Sequence, residues 1–140
     1  MKIEEIVKAT KGQLLSGNEN NEVTGITQDT RHVNPGYLYI PLMGKRDGHD
    51  FIQQAFEKGA IASLTNHPIE DMHHNLILVQ DTHQAMGDIA RYMREKSQAL
   101  VVGVTGSVGK TSTKDMIASV VAQSYTTLKT QGNFNNDIGV

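Results

Sequence analysis

Leu100-Val101-Val102-Gly103-Val104-Thr105-Gly106-Ser107-Val108-Gly109-Lys110-Thr111-Ser112 is the stretch on which the reading of the fold turns. Its first five residues form a near-continuous apolar run, the pattern of a strand covered on both faces. A glycine-rich turn follows. Met116, Ile117, Val120 and Val121 then recur at helical spacing over about residues 110–123. Strand, glycine turn and helix in that order are the context that makes a phosphate-binding loop credible. Glycines let backbone N–H groups approach phosphate oxygens closely, and the helix N-terminus adds partial positive charge. Lys110 can reach β- and γ-phosphates, and the Thr111 hydroxyl is the natural ligand for the Mg2+ that accompanies ATP. The candidate nucleotide site is therefore Thr105, Gly106, Ser107, Val108, Gly109, Lys110, Thr111 and Ser112, with Lys110 as the catalytic cation and Thr111 as the metal ligand. The loop is a short form, because Val104 stands where the common pattern has its first glycine. Gly103, Gly106 and Gly109 fall every third residue, which does not fit a dinucleotide fingerprint.

Upstream, strands and helices alternate, which predicts an α/β architecture. Ile3, Ile6 and Val7 share one face of a helix over 3–10, and Gly12 follows its end. Val23–Thr27, Tyr37–Ile40, Ala60–Leu64 and Leu76–Val79 read as strands, with Pro35-Gly36 as a turn. Asp50 with Gln53 predicts a capped helix that buries Ile52, Ala55 and Phe56 and stops at Gly59. Asp81 with Gln84 repeats the signal ahead of Met86, Ile89, Ala90 and Met93. Glu95-Lys96-Ser97-Gln98 is a polar hinge, and a last strand is expected over 126–129. The reading is one small α/β domain over 1–95, then the opening of a second over 96–140. Those last residues are too few to close a nucleotide-binding sheet, so the second domain reads as incomplete. Its unpaired strand and helix are expected to self-associate or to pack irregularly.

The chain is 140 residues long, with 38% hydrophobic and 20% charged residues, an ordinary globular composition with enough apolar content for a core. A net charge of −2 without a basic run gives no electrostatic support for nucleic-acid binding. The absence of cysteine excludes disulfides and thiolate metal sites and fits a cytoplasmic protein. No apolar run is long enough to span a membrane, and the charged N-terminus is not a signal peptide. His67, His73 and His74 lie in a polar loop without a helical metal-ligand frame, so they do not predict a zinc site. His49 and His83 stand beside helix caps, where local hydrogen bonds are expected, and Met86, Met93 and Met116 read as core.

Thr105-Gly106-x-x-Gly109-Lys110-Thr111-Ser112 resembles the ATP loop of the Mur ligase family. Three further stretches are similar to that family, in the same order. Asp29-Thr30-Arg31-x-Val33-x-Pro35-Gly36 with Tyr39-Ile40-Pro41-Leu42-x-Gly44 looks like its uridine-binding domain, and Asp47-Gly48-His49-Asp50-Phe51 continues it. Thr130-x-Gly132-Asn133-x-Asn135-Asn136-x-Ile138-Gly139 resembles the segment after the phosphate-loop helix in members that add the terminal dipeptide. The resemblance implies a small UDP-precursor-binding domain followed by the start of an ATP-binding domain. It also implies a reaction in peptidoglycan precursor synthesis, and so in cell-wall biogenesis, cell shape and division. ATP phosphorylates a UDP-N-acetylmuramoyl-tripeptide on its terminal carboxylate, and the D-alanyl-D-alanine amine attacks the acyl phosphate.

By the same resemblance, Thr30 contacts the uracil or its ribose from a substrate-binding turn that Asp29 and Arg31 shape, Lys45 and Arg46 meet the diphosphate, and Asn133, Asn135 and Asn136 the tripeptide carboxylate. The metal ligands and carbamylated lysine that the family carries later in its sequence are not among these residues, so the chain alone is expected to be inactive. A monomer is expected for the full-length enzyme. On the residues alone, Asp29 with Arg31 also reads as a turn salt bridge, Lys45 and Arg46 as solvated cations, and the asparagines as turn formers. Three rival functions stand beside the main one: a sister ligase adding the third peptide residue, a nucleotide-binding module without ligase chemistry, and a UDP-sugar-binding domain.

Overall fold

A computed structural model describes residues 1–69 and 73–130. The chain divides into two units, Met1–Ser97 and Gln98–Val140.

The first unit is built on a five-stranded sheet. Its elements run α1 (Ile3–Thr10), β1 (Gln13–Ser16), β2 (Gly25–Thr27), β3 (Tyr37–Tyr39), α2 (Ile52–Glu57), β4 (Ala62–Thr65), β5 (Asn75–Leu78) and α3 (Thr82–Lys96). The order across the sheet is β1-β5-β4-β3-β2. The last four strands are mutually parallel, and β1 closes the edge antiparallel to β5. Central β4 is buried at all four positions, as a parallel strand covered on both faces must be. One face packs Ile3 and Ile6 of α1 and Ala85 and Ile89 of α3 against Leu38, Leu64 and Ile77. Tyr39, Leu76, Ile52, Ala55 and Phe56 form the other core cluster.

Local chemistry sets the boundaries. The Glu5 side chain accepts from the Lys2 N–H at 2.8 Å, closing the first turn of α1. Asp81 caps α3 by accepting from the Gln84 N–H, as the spacing predicted. The cap ahead of α2 differs from the expected Asp50. Asp47 accepts from the His49 N–H and starts a 3-10 turn over Gly48–Phe51 that leads into α2. Asp50 lies inside that turn. Strand β1 has no counterpart in the sequence reading, because a four-residue Gln-Leu-Leu-Ser segment is too short to show a period. Within α3 the buried residues are Thr82, Ala85 and Ile89, whereas Ala90 is exposed and Met93 is 47% exposed. Of the expected stripe, Ile89 is buried and Met86 packs against the core, whereas Ala90 and Met93 face outward and Ala85 takes the inward place.

Helices α1 and α3 are tied by an ion pair between Lys96 Nζ and Glu5, which also accepts from the Tyr92 hydroxyl at 3.3 Å. The Lys96 ammonium, with the Lys2 N–H, holds the Glu5 carboxyl down at about 2, and Glu5 in turn raises Lys96 to about 12. A depressed carboxylate stabilises the fold above its unfolded value of 4.5 and loses that contribution as pH falls toward 2. Acid titration of the melting temperature should therefore fall between those values, and Glu5→Gln should flatten that limb. An unchanged acid limb in the variant would count against the tie.

In the second unit, α4 runs from Lys110 to Val121. Lys129 Nζ pairs with Asp115 Oδ1 at 2.7 Å and Lys114 Nζ donates to the Thr130 carbonyl at 2.7 Å, which hold the following segment to the helix. The expected strands over 100–104 and 126–129 are not formed. A strand needs a ladder partner, and the described residues of this unit supply none. Leu100 is 90% exposed, and Val101, Val102, Val120 and Leu128 are exposed too. Met116, read as core, is 70% exposed.

Candidate functional site

In an open parallel sheet, ligands bind beyond the carboxyl ends of the strands, where chain leaves the sheet in loops. Two such loops leave the neighbouring strands β2 and β3, which pair Thr27 with Tyr39. Every candidate uridine and diphosphate residue lies on one of them.

The first loop is an Asx-type turn. The Thr27 hydroxyl accepts from the Asp29 N–H at 3.1 Å, and Asp29 accepts from the Arg31 N–H at 2.9 Å. The Arg31 guanidinium grips the same carboxylate through Nε at 3.0 Å and Nη2 at 2.6 Å. That bond holds the Asp29 carboxyl far below the usual range and raises Arg31. Asp29 and Arg31 thus shape the turn. Thr30 lies at its crown, braced from α2 and the residue that ends it. Its hydroxyl donates to Gln54 Oε1 at 2.9 Å, and its carbonyl accepts from Lys58 Nζ at 2.9 Å. A hydroxyl used as a donor keeps acceptor capacity for a ligand N–H.

The second loop, residues 41–48, is pinned at its base and exposed at its tip. Gly48 N–H donates to the Leu42 carbonyl at 3.1 Å, Gly44 N–H to the Arg46 carbonyl at 3.1 Å, and Met43 bridges Asp47. A Cβ on Gly48 would stand 2.6 Å from the Leu42 nitrogen, so the closure requires glycine. The Thr82 hydroxyl at the start of α3 donates to the Pro41 carbonyl at 2.5 Å, and the Tyr39 phenol to the Gly48 carbonyl at 3.1 Å. Burial, with Asp29 and Asp47 nearby, pushes the Tyr39 phenol up to about 12. The second loop therefore bears on a buried tyrosine. Lys45 and Arg46 stand exposed on the tip, two cations on a fixed backbone.

The candidate phosphate loop lies in the second unit. Gly109 takes φ +79 as the residue before α4, a left-handed conformation that favours glycine. The first amide bonded back across it is that of Thr113, to the Gly109 carbonyl at 2.9 Å. Helix geometry directs the N–H groups of Lys110, Thr111 and Ser112 out of the helix N-terminus. Lys110 Nζ folds back to the Gly106 carbonyl at 2.6 Å, which sets a cation over the loop. Thr105 and Ser107, Val108 and Thr111 are exposed around it. No cluster of three carboxylate, histidine or cysteine residues exists among the described residues. Asn133, Asn135 and Asn136 lie outside the described residues.

Tyr39 and His49, which the sequence showed only as parts of a pattern, support the site, and so do Gln54 and Lys58, which it did not single out. Gln54 and Lys58 had a faint signal, an i,i+4 polar pair on the exposed side of a short helix.

Residues 22–94 match the family model described as "Mur ligase family, catalytic domain", and residues 104–140 match "Mur ligase middle domain". The UDP-N-acetylmuramoyl-tripeptide--D-alanyl-D-alanine ligase of Bacillus subtilis (strain 168) is 42% identical over 99% of the chain, and that of Escherichia coli (strain K12) 47% over 82%. The chain spans 31% and 25% of those two proteins. Among solved structures, MurF from Acinetobacter baumannii superposes with a TM-score of 0.88 at 33% identity, over 99% of this chain and 31% of that one. A Thermotoga maritima MurF ligase in complex with ADP gives 0.72 at 31% identity, over 85% of this chain and 27% of that one.

Proposed function

This chain belongs to the Mur ligase family, and we propose that it is the front part of the ligase that joins D-alanyl-D-alanine to a UDP-N-acetylmuramoyl-tripeptide. The observation that carries the reading is the pairing, within one chain, of an ATP-type loop bearing Lys110 with a cationic loop at the carboxyl edge of a parallel sheet. The similarity to ligases that add D-alanyl-D-alanine favours this substrate pair.

In this reading, Met1–Ser97 holds the UDP end of the precursor. Thr30 contacts the uridine from a turn set by Asp29 and Arg31, and Lys45 and Arg46 neutralise the diphosphate. The amides of residues 106–112 cradle the ATP phosphates. Lys110 leaves the Gly106 carbonyl to meet the γ-phosphoryl group, and its charge follows the group as it moves to the tripeptide carboxylate. Mg2+, held by Thr111 and phosphate oxygens, would supply further charge neutralisation. Asn133, Asn135 and Asn136 are assigned to the carboxylate acceptor. Phosphoryl transfer followed by acyl transfer asks the protein mainly for positioning and electrostatic stabilisation, which these groups provide. A nucleotide-linked precursor and a cysteine-free chain favour a cytoplasmic setting for the reaction. Among the described residues no helix is long and apolar enough to cross a membrane.

The test is ligand-induced stabilisation of residues 1–97. UDP-N-acetylmuramoyl-tripeptide at about 100 times its dissociation constant should stabilise the unit by roughly 2.7 kcal/mol. Thr30→Ala should reduce that shift. A melting curve that saturating ligand leaves unmoved would overturn the assignment of this edge to the UDP end.

A further inference from the structure

Among the described residues of the first unit, His49 is the one buried histidine, with its side chain 5% exposed, and the proposed reaction gives it no part. Its ring is engaged on both nitrogens. Nδ1 lies 2.6 Å from Asp47 Oδ1, and Nε2 lies 3.3 Å from the Asn66 backbone nitrogen. A backbone N–H can only donate, so Nε2 must be the bare, accepting nitrogen and Nδ1 must carry the proton. The ring is then neutral and of one tautomer, donating to a carboxylate and accepting from an amide. The His49 backbone N–H donates to the same Asp47 oxygen at 2.9 Å.

The two partners belong to different parts of the sheet edge. Asp47 ends the cationic loop that follows β3, and Asn66 is the first residue past β4. Two residues apart from its own carboxylate partner, His49 would be a local cap and nothing more. The bond to Asn66 makes it a bridge between the loop and a neighbouring strand end. The charged and titratable groups facing the ring are Asp47 and His67, whose ring centroid is 5.1 Å away at a 40° tilt. The His49 backbone N–H and ring together hold the Asp47 carboxyl below its usual range. That carboxylate is therefore a fixed anion at the foot of the loop carrying Lys45 and Arg46.

We propose that His49, as its Nδ1–H tautomer, is a positioning residue that fastens the diphosphate-binding loop to the end of β4. The ring holds Asp47 in one rotamer, the Met43–Asp47 bridge then fixes the tip, and Lys45 and Arg46 are presented without an ordering cost at binding. The inference rests on the reading of this loop as the grip on the UDP diphosphate.

Two measurements on the 140-residue chain test it. The first needs no variant: a long-range proton–nitrogen spectrum above neutral pH should show His49 with a protonated Nδ1 and a bare Nε2. The reverse tautomer overturns the proposal. The second compares binding of UDP for the wild type, His49→Ala and His49→Gln. Gln places an acceptor near the old Nε2 and can restore the Asn66 bond, whereas Ala restores neither. UDP affinity should fall about tenfold in His49→Ala, the equivalent of one to two lost hydrogen bonds, and recover in large part in His49→Gln. Faster exchange of the Asn66 amide should accompany the loss. If wild-type chain binds UDP and folded His49→Ala binds it equally well, the positioning role is overturned while the site stands. If the wild type does not bind UDP, the site assignment is overturned and the His49 role with it.

Discussion

Lys110→Ala in a complete ligase carrying this sequence should leave the fold intact and lower turnover by about 10² to 10³, the usual cost of losing a group that stabilises transferring charge. The fold should survive because, among the described residues, the ammonium bonds to the exposed Gly106 loop and not to the core. The rate should not, because in the proposed function the phosphoryl group in flight spreads charge over oxygens that Lys110 meets. Rate constants from single turnovers of ATP and UDP-linked tripeptide, with thermal melting as the control for folding, check both halves. Turnover equal to wild type would show that Lys110 is a loop strut and not part of the chemistry.

Leu64→Ala should destabilise the first unit by about 2–5 kcal/mol, whereas Leu100→Ala should change its melting by less than about 0.5 kcal/mol. Leu64 sits on the central strand at 0% exposure, with Leu38 and Ile77 on the strands either side, so truncation leaves a cavity that a close-packed core cannot fill. Leu100 is almost wholly exposed and has nothing to lose. Its effect should appear elsewhere. Leu100, Val101, Val102, Met116, Val120 and Leu128 leave apolar surface open, and covering such surface drives association. Light scattering at rising concentration should detect self-association of the 140-residue chain, and Leu100→Ala should weaken it. A chain that stays monomeric at every concentration would show that this surface does not act as an interface.

The sequence was most legible where a local rule has a local cause. The period of Ile3, Ile6 and Val7 and the Asp81–Gln84 spacing gave α1 and the start of α3 because a helix face and an N-cap are each decided within one turn. The glycine turn ahead of α4 was legible for the same reason: glycine torsions, a helix N-terminus and a lysine all fall within eight consecutive residues. Errors came where the outcome depends on distant partners. Asp50 and Asp47 each offer a capping carboxylate, and Asp47 holds the cap, beside a Gly48 whose N–H donates to the Leu42 carbonyl six residues back. Residues 100–104 have the composition of a buried strand, but composition cannot supply the neighbour that a ladder requires.

What the sequence determined by itself is thus the set of chemical parts: a glycine-rich loop ahead of a helix, a cationic loop, capped helices and strands of the α/β type, and the family to which they belong. The tertiary structure decided their assembly. Parallel pairing of β2 with β3 brings Asp29, Thr30 and the loop of Lys45 and Arg46 to one edge, although up to seventeen positions separate them in the chain. It also set Gln54 and Lys58 against Thr30, and put His49 between Asp47 and Asn66. Those contacts join residues from different elements, and no period or spacing in one dimension records which strand end will lie beside which.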